Sequence, residues 1–337
     1  MKIPLFIYKI LHFEYWPLKV FYLPMIPVWI YLGLKTRSLT FFTNINPLME
    51  FSGMFGASKQ GILEQVSPQY RPVSVLVSAQ NLNEKHIIEL MNIHHLDFPI
   101  ILKPNVGERG VNVQKINSVQ ELTSYLADNQ DAIILQGFIE SPIELGVFYV
   151  RMPNETKGKV TSVTLREFLT VTGNGQNSIA ELMQQNTRAR FQLERIKTKL
   201  GEGINEVLSK GENRLLEPIG NHNRGTKFVN ANHLINSQLN EIFDRISFPI
   251  DGFFYGRYDL KVSSYEDLYA GKNIKILELN GTNSEPGHIY DPHNSIFKAY
   301  KDLAWQWNIM ANISIQQRKK GVLPIGAKAV LKTLFSS

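Results

Sequence analysis

Hydrophobic and polar residues follow two periods along the middle of the chain, and these periods predict strands and helices. Short apolar runs bounded by turn residues predict strands at residues 73–77, 99–103, 132–138, 146–151, 160–171, 253–262 and 274–279. Apolar residues three and four positions apart predict helices at residues 83–94, 121–127, 178–200, 238–246 and 296–313. Ser178 and Glu181 have the spacing of a capping box at one helix start. The pattern therefore predicts a protein of alternating strands and helices, of α/β type, whose last two strands pair antiparallel.

The first 45 residues follow neither period and hold 11 of the 36 aromatic residues of the chain. Residues 18–34 are mostly apolar, but Lys19, Pro24 and Pro27 interrupt them, and two prolines should break a spanning helix of about 20 residues. A signal peptide with a clear cleavage site is not evident. The mixture of Trp, Tyr and Lys favours a segment in the membrane interface, or a re-entrant hairpin bent at the prolines. The alternative is an aromatic arm packed on the rest of the chain or on a dimer partner.

Composition and charge narrow the class of protein. The 337 residues allow two or three domains, and the absence of Cys excludes disulfides, thiolate metal sites, iron–sulfur clusters and Cys nucleophiles. The formal net charge of +6 is uneven, because residues 1–45 carry +4 and residues 315–337 carry +5, which leaves −3 for residues 46–314. Basic ends on a mildly acidic body argue against a nucleic-acid partner and favour an anionic membrane surface.

The last residues predict a short basic amphipathic helix. Four apolar side chains fall on one helical face, namely Ala327, Leu331, Leu334 and Phe335. Lys328 and Lys332 lie beside that face, and the basic run 318–320 precedes it. Two weak basic elements on one side of a protein reinforce each other at a membrane, so we expect both ends to meet the same surface.

The first stretch with candidate chemistry is residues 101–112, where a predicted strand delivers Lys103 into a loop with two glycines and an arginine. Backbone N–H groups in such a loop can bind phosphates, and the lysine can neutralise them. The spacing is neither that of a Walker loop nor that of a dinucleotide fingerprint. A glycine-containing turn with a solvated lysine is the alternative.

The second stretch pairs Arg257 and Asp259 on one strand with Glu278 and Asn280 on the next. Alternation along each strand puts both polar residues on one face, so the two strands would bring three oxygen donors together, from Asp259, Glu278 and Asn280. Hard oxygen donors in small number suit Mg²⁺, and Arg257 beside them would stabilise negative charge during reaction. A surface hairpin with a cross-strand ion pair is the alternative.

The third stretch places Arg166 within the predicted strand 160–171, before a Gly-Asn-Gly turn at residues 173–175 that leads into the capped helix. An ordinary strand–turn–helix with Arg166 at a solvated edge is the alternative.

The order and spacing of these stretches resemble the ATP-grasp superfamily, especially D-alanine–D-alanine ligases and cyanophycin synthetases, over roughly residues 70–310. The resemblance implies two α+β subdomains that grip ATP between them. It implies phosphate contacts from Lys59, Lys103, Glu108, Arg109, Gly110 and Val111. It implies adenine and ribose contacts from Gln136, Gly137, Phe138, Ile139 and Glu144.

The same resemblance implies Mg²⁺ on Asp259, Glu278 and Asn280. It implies catalytic roles for Lys103, Arg166, Arg224 and Arg257. The polar loops that follow these motifs supply the candidate substrate contacts His222, Asn223, His288, Tyr290 and Asp291. For each of these five, a satisfied structural polar group is the alternative.

These observations lead to one main hypothesis and two rivals. The chain is expected to comprise an N-terminal segment (residues 1–50), two ATP-grasp subdomains (70–155 and 156–313) and a basic tail (315–337). The hypothesis is a ligase that uses ATP and Mg²⁺ to join a carboxylate to an amine through an acylphosphate. Its substrate would be a lipid, a lipid-linked compound or a small amino-acid-like molecule at the cytoplasmic face of the membrane, with a homodimer left open. The rivals are an ATP-grasp kinase that phosphorylates an alcohol and a non-catalytic nucleotide-binding membrane adaptor.

Overall fold

The computed structural model describes residues 4–107 and 111–336, with side chains as far as Thr333 in the last helix. Its strands are β1 (Ser74–Val77), β2 (Ile100–Pro104), β3 (Gln114–Ile116), β4 (Ile133–Gly137), β5 (Ile143–Val150), β6 (Lys159–Glu167), β7 (Thr170–Thr172), β8 (Asn213–Leu215), β9 (Lys227–Asn230), β10 (Tyr255–Val262) and β11 (Lys275–Asn280). Its helices are α1 (Leu5–Leu11), α2 (Leu18–Tyr22), α3 (Ile26–Thr36), α4 (Lys59–Glu64), α5 (Glu84–Ile93), α6 (Val119–Asp128), α7 (Ile179–Gln185), α8 (Thr187–Arg190), α9 (Leu193–Leu200), α10 (Ser237–Ser247), α11 (Tyr265–Ala270), α12 (Ile296–Lys319) and α13 (Ala327–Ser336).

The described strands form three antiparallel sheets, in agreement with the α+β class that the resemblance implies. A four-stranded sheet has the order β1-β4-β2-β3, a five-stranded sheet has the order β11-β10-β5-β6-β9, and β7 pairs with β8. The five-stranded sheet is covered on both faces. Alternate residues of β5 therefore enter different cores: Val147 packs with α10 and α11, whereas Phe148 packs with α12 and the N-terminal segment. Helices α5 and α6 cover the smaller sheet. Two sheets with helices packed on them match the two-subdomain ATP-grasp architecture that the resemblance implies.

Two predicted elements are divided in the structure. The strand predicted at residues 160–171 becomes β6 and β7, because Leu169 and Val171 turn into a separate small core. The helix predicted at residues 178–200 becomes α7, α8 and α9, although its capping box between Ser178 and Glu181 is confirmed. The closing helix α12 is longer than predicted and runs past residue 313 to Lys319.

The two prolines of the N-terminal segment interrupt its α-helix, as the sequence predicts, but the chain stays helical across them. Pro24 and Pro27 each lie in the first turn of a new helical segment, where a proline needs no intrahelical N–H bond. Leu18–Thr36 is therefore a nearly continuous helical stretch. Among the described residues it is the one stretch long and apolar enough, by length and composition, to cross a membrane. Only 22% of its apolar window is buried in the structure.

The inward side of the N-terminal segment is part of the protein core. Leu32, Phe41 and Ile45 pack with α12 in one buried cluster. Asn46 is fully buried, and its side chain accepts hydrogen bonds from the backbone of residues 254 and 255 at the start of β10. The segment thus packs on the rest of the chain, as the arm alternative predicts, while its outward side remains exposed.

Candidate active site

A cleft of about 910 Å³ lies between the four-stranded and five-stranded sheets. Strands β2, β4, β10 and β11 and helix α4 supply one part of its lining, and residues 14–29 of the N-terminal segment supply another. The cleft therefore joins residues that are more than 250 positions apart in the chain.

The loop after β4 lines the end of the cleft that we call the hinge end, defined by Gln136, Gly137, Phe138, Ile139 and Glu144. The Phe138 ring lies 4.0 Å from Lys115 Nζ and 5.1 Å from Lys261 Nζ, and Lys261 Nζ donates to the Ile139 carbonyl at 3.0 Å. Gln136 Nε2 is buried without a hydrogen-bond partner in the described part of the chain. A buried donor of this kind is unfavourable unless a ligand accepts from it, so the site fits a heterocyclic base.

Two lysines meet next to the hinge end. Ser58 caps α4 by accepting from Gly61 N, which places Lys59 at the first helical position, 3.2 Å from Glu278 Oε1. Lys103 lies on β2, and its Nζ donates to the Leu277 carbonyl at 3.1 Å. Burial lowers the pKa of Lys103 to about 8, against the attraction of Glu278. Both ammonium groups are placed where they can neutralise phosphate oxygens.

The rest of the predicted phosphate loop is only partly described. Glu108, Arg109 and Gly110 lie outside the described residues. Val111 is exposed and does not contribute to the described lining of the cleft, whereas Val106, Gly107 and Val113 do.

The polar residues of β10 and β11 meet as their alternation predicts. Asp259 lies directly opposite Glu278, and Arg257 lies opposite Asn280. Gly146 faces Asp259 from β5, and a Cβ there would lie 3.3 Å from Arg257 Cδ. A glycine at this position therefore leaves room for the side chains of β10.

Asp259 is the centre of a buried hydrogen-bond network. Its Oδ1 accepts from Arg257 Nε at 2.8 Å and from Arg166 Nη2 at 2.6 Å. Its Oδ2 accepts from Arg257 Nη2 at 3.1 Å and from Asn280 Nδ2 at 3.2 Å. Arg166 also donates to Glu144 Oε1 at 2.8 Å, which connects the network to the hinge end.

The ionisation of this network follows from its pairing. Burial disfavours the charge on Asp259, yet Arg166 and Arg257 hold the pKa of that carboxyl below its usual range. Burial likewise opposes the charge on Glu278, but Lys59, Lys103 and Arg257 together outweigh it and lower the pKa. Burial also opposes the charge on Arg166, whereas Asp259 and Glu144 raise its pKa. The carboxylates are therefore held ionised at neutral pH.

The donor set fits Mg²⁺ by its chemistry. Two ionised carboxylates and the amide of Asn280 offer hard oxygen ligands on adjacent strands. Among the described residues no group of three or more His, Cys, Asp or Glu side chains is arranged to hold a metal, so such a site would depend on Asn280 and on non-protein oxygens. Asp259 would have to exchange some of its N–H partners for the metal, whereas Glu278, with a side chain 29% exposed, is more accessible.

Of the five candidate substrate contacts, His222, Asn223 and Tyr290 line the cleft. His288 and Asp291 do not contribute to the described lining. His288 bridges Ser162 Oγ at 2.7 Å and Asp302 Oδ2 at 3.2 Å, and Asp291 accepts from Asn230 N and His293 N, both at 2.7 Å. These are the satisfied structural groups of the alternative reading.

Arg224 also lies behind the lining described for the cleft. Its Nη1 donates to the Val113 carbonyl at 3.0 Å, so it links the two sheets' loops rather than facing the cleft.

Sequence reasoning missed two residues that line the cleft, Glu285 and Lys261. Tyr290 Oη donates to Glu285 Oε2 at 2.6 Å, and Arg257 Nη1 donates to the Glu285 carbonyl at 3.0 Å. Burial raises the pKa of Glu285 to about 7. Alternation along β10 places Lys261 on the face of Arg257 and Asp259, which was a usable signal. Only the polar composition of residues 281–293 pointed toward Glu285.

Known proteins give a limited comparison. No protein-family model matches the chain, and no curated protein matches it in sequence. The solved structures that are similar to it include the following three. The VanG D-Ala:D-Ser ligase from Enterococcus faecalis has a TM-score of 0.45 and 14% identity over 79% of this chain and 64% of its own. The bifunctional glutathione synthetase from Pasteurella multocida has a TM-score of 0.40 and 14% identity, over 74% of this chain and 36% of its own. The ATP-grasp ligase PsnB, complexed with minimal precursor, has a TM-score of 0.37 and 12% identity, over 74% of this chain and 60% of its own.

The chain therefore spans between about one third and two thirds of the length of these proteins. At these TM-scores the case for a function rests on the side chains of the cleft.

Proposed function

We propose that the chain is an ATP-dependent carboxylate–amine ligase that works through an acylphosphate. The observation that carries the proposal is the convergence of three groups in one cleft. These are the hinge end with an unpartnered Gln136 donor, the lysine pair Lys59 and Lys103, and the Asp259–Glu278 pair with Arg257. The nucleotide base would bind at the hinge end, the phosphates at the lysine pair, and the reacting carboxylate beside the Asp259–Glu278 pair and Arg257.

In the proposed reaction a carboxylate oxygen attacks the γ-phosphorus and ADP leaves. The amine then attacks the acyl carbon, phosphate leaves, and the amine proton passes to a base. Lys59 and Lys103 hold the phosphates, and Arg257 stabilises the oxyanion of the tetrahedral intermediate. Mg²⁺ on Asp259, Glu278 and Asn280 would neutralise charge on the phosphate oxygens. Arg166 positions Asp259 and Glu144 through its ion pairs.

Glu285 is the candidate base for the amine. Glu285 lines the cleft, its backbone carbonyl accepts from Arg257, and the Tyr290 hydroxyl donates to one of its carboxylate oxygens. A base with a pKa near the working pH combines a large ionised fraction with a useful affinity for the proton, and Glu285 at about 7 meets this condition.

We further propose that the protein works at an anionic membrane surface, on its cytoplasmic face. The outward side of α1–α3 exposes large apolar side chains, namely Phe6, Ile10, Leu11, Leu23, Ile26, Ile30 and Leu34. Lys9 and Lys19 lie among them. Helix α13 packs beside this region, because Val330 is buried in the same cluster as Leu32. Apolar side chains with interspersed lysines and a neighbouring basic helix are typical of an interfacial surface.

The reaction can be tested before the substrates are known. Purified protein, Mg-ATP and hydroxylamine are incubated with lipids and amino acids extracted from the producing cells, and ADP and hydroxamate are measured. Hydroxylamine converts an acylphosphate to a hydroxamate, so we expect both products to appear together. ADP with a stable phosphorylated alcohol and no hydroxamate would identify the kinase instead. Binding of ATP with no ADP formed from any extract would favour the adaptor.

A further inference from the structure

Another part of the cleft is lined with aromatic rings that no step of the proposed reaction requires. We call it the aromatic compartment; its rings are Trp16, Phe21, Tyr22, Trp29, Phe55, Tyr290 and Trp307. Ring centroids of Trp29 and Trp307 lie 5.0 Å apart, and those of Tyr22 and Trp307 lie 5.9 Å apart. Three of the four tryptophans of the chain therefore face one space.

Polar groups adjoin the aromatic compartment. Arg257, Glu285 and the Tyr290 hydroxyl lie there in contact with one another. Glu14 lines the same cleft, and its Oε1 is buried without a hydrogen-bond partner in the described chain, while Oε2 is held by Arg188 and His222. The compartment thus offers a polar head site followed by an apolar body.

The compartment is separated from the outer surface by a single helical stretch. Leu18 and Tyr22 line the cleft, whereas Leu23 and Ile26 on the same stretch are 65% and 49% exposed. An apolar chain in the compartment would therefore lie next to the surface that we assign to the membrane.

We propose that the aromatic compartment binds the long apolar chain of an amphiphilic substrate, with the reacting head beside Arg257 and Glu285. This inference rests on the proposed ligase function and names the class of one substrate. Apolar rings around an apolar chain gain from its removal from water, and a small polar substrate would leave this surface without a partner. The head can be the carboxylate or the amine of the reaction.

The tryptophans give a direct test without turnover. The probes are 12-bromododecanoate and 12-bromododecylamine, used below the concentrations at which they form micelles, with 4-bromobutyrate as the short control. Bromine quenches tryptophan fluorescence on contact. We expect saturable quenching by one of the long probes, and by the short one only at concentrations at least about tenfold higher, because each buried methylene adds to affinity.

A pair of variants on α12 provides the matched control. Trp307 lines the compartment, whereas Trp305 lies outside its described lining, 46% exposed, 5.6 Å from Lys159 Nζ. Trp307→Ala should weaken binding of the long probe by about fivefold or more, and Trp305→Ala should leave it unchanged. Equal quenching in both variants, or none by either long probe in the wild-type protein, would overturn the proposal. Tight binding of phenylpropionate in place of the chains would also overturn it.

A measurement of the affinity for adenylyl imidodiphosphate in the presence of Mg²⁺ distinguishes failure of the compartment proposal from failure of the ligase proposal. If the nucleotide binds and neither chain does, the compartment proposal fails and the ligase proposal stands. If the nucleotide does not bind to the wild-type protein, the ligase proposal itself fails.

Discussion

Two parts of the cleft are built in opposite ways. The part of the cleft that runs from the hinge end to the Asp259–Glu278 pair is polar, ion-paired and carried by neighbouring strands, so that Asp259 meets Glu278 through the ladder of β10 and β11. The aromatic compartment is apolar and is assembled from residues 16–29, 55, 290 and 307, which no ladder connects. The first part has the groups that a phosphoryl and acyl transfer needs. The second has the groups that select which molecule undergoes it.

The two parts also contribute differently to stability. Buried ion pairs gain little net stability, because desolvation of the charges offsets their attraction. The rings of Phe21 and its neighbours are part of a core cluster with α12, and burial of an aromatic side chain stabilises a fold directly. Substitution of one member of a buried ion pair nevertheless leaves its partner charged and unpaired, so it should lower stability as well as catalysis. Substitutions in the compartment should change selectivity and stability together.

The largest expected effect is at the metal-binding pair. Glu278→Gln should lower the rate of ADP formation by about 10²–10³-fold, because it removes the accessible carboxylate that would hold Mg²⁺ beside the phosphates. Lys59 keeps a hydrogen-bond acceptor at this partly exposed pair, so the melting temperature should fall only a little. Glu206→Gln, at an exposed pair with Arg214, is the control and should leave the rate unchanged. A similar loss in both variants would refute the assignment of the site.

The next largest effect concerns Glu285, which lies between the nucleotide-binding groups and the aromatic compartment. Glu285→Gln should slow the ligation by about 10²-fold and remove the rise in rate through pH 7, since the amide cannot accept the proton. Groups near this carboxyl are the Tyr290 hydroxyl, the Arg257 guanidinium and, beyond Tyr290, His222. Hydroxamate formation without an amine should stay close to the wild-type rate, because that half-reaction does not need the base.

The raised pKa of Glu285 also predicts how the stability of the folded protein changes with pH. Burial raises the folded-state pKa of Glu285 above its unfolded value, so the wild-type protein pays no ionisation cost below pH 4.5 and loses stability as pH rises through about 7. Glu285→Gln lacks this cost. Its melting temperature should therefore rise relative to the wild type between pH 5 and 8, and a difference independent of pH would contradict the raised pKa.

A smaller effect tests the nucleotide side alone. Lys59→Met should weaken binding of adenylyl imidodiphosphate by about 10–100-fold, because it removes one charge-assisted contact to phosphate while Ser58 still caps α4. Calorimetric titration measures the affinity. Lys85→Met on the exposed face of α5 is the matched control, and binding of the long-chain probes should be unchanged in both variants.

The smallest effect concerns the outer side of the compartment. Deletion of residues 1–45 would remove core residues such as Phe41 and Ile45, so substitutions test membrane binding better. Leu23→Asp with Ile30→Asp should move the protein from anionic vesicles to the supernatant by several-fold. Ile93→Asp with Leu215→Asp changes two exposed apolar residues elsewhere and should not. Equal vesicle binding of both double variants would exclude this face as the membrane contact.

Local patterns were sufficient for part of this picture. Alternation along two strands placed Asp259 with Glu278, and the capping box at Ser178 marked a helix start, because both depend on residues close in sequence or on adjacent strands. Local rules predicted the interruption of the α-helix at Pro24 and Pro27, but not that a new helical segment begins at each proline.

The remaining features depend on which distant segments pack together. Amino-acid sequence determined the α+β class, the polar residues of the hinge end and the aromatic character of the first 45 residues. Only the tertiary structure turned those aromatic residues toward the cleft, placed Trp29 against Trp307 and brought Glu285 into the lining of the cleft. The physical reason is that strand and helix periods are set by nearest neighbours, whereas the burial of a side chain is set by segments that can lie 280 residues away.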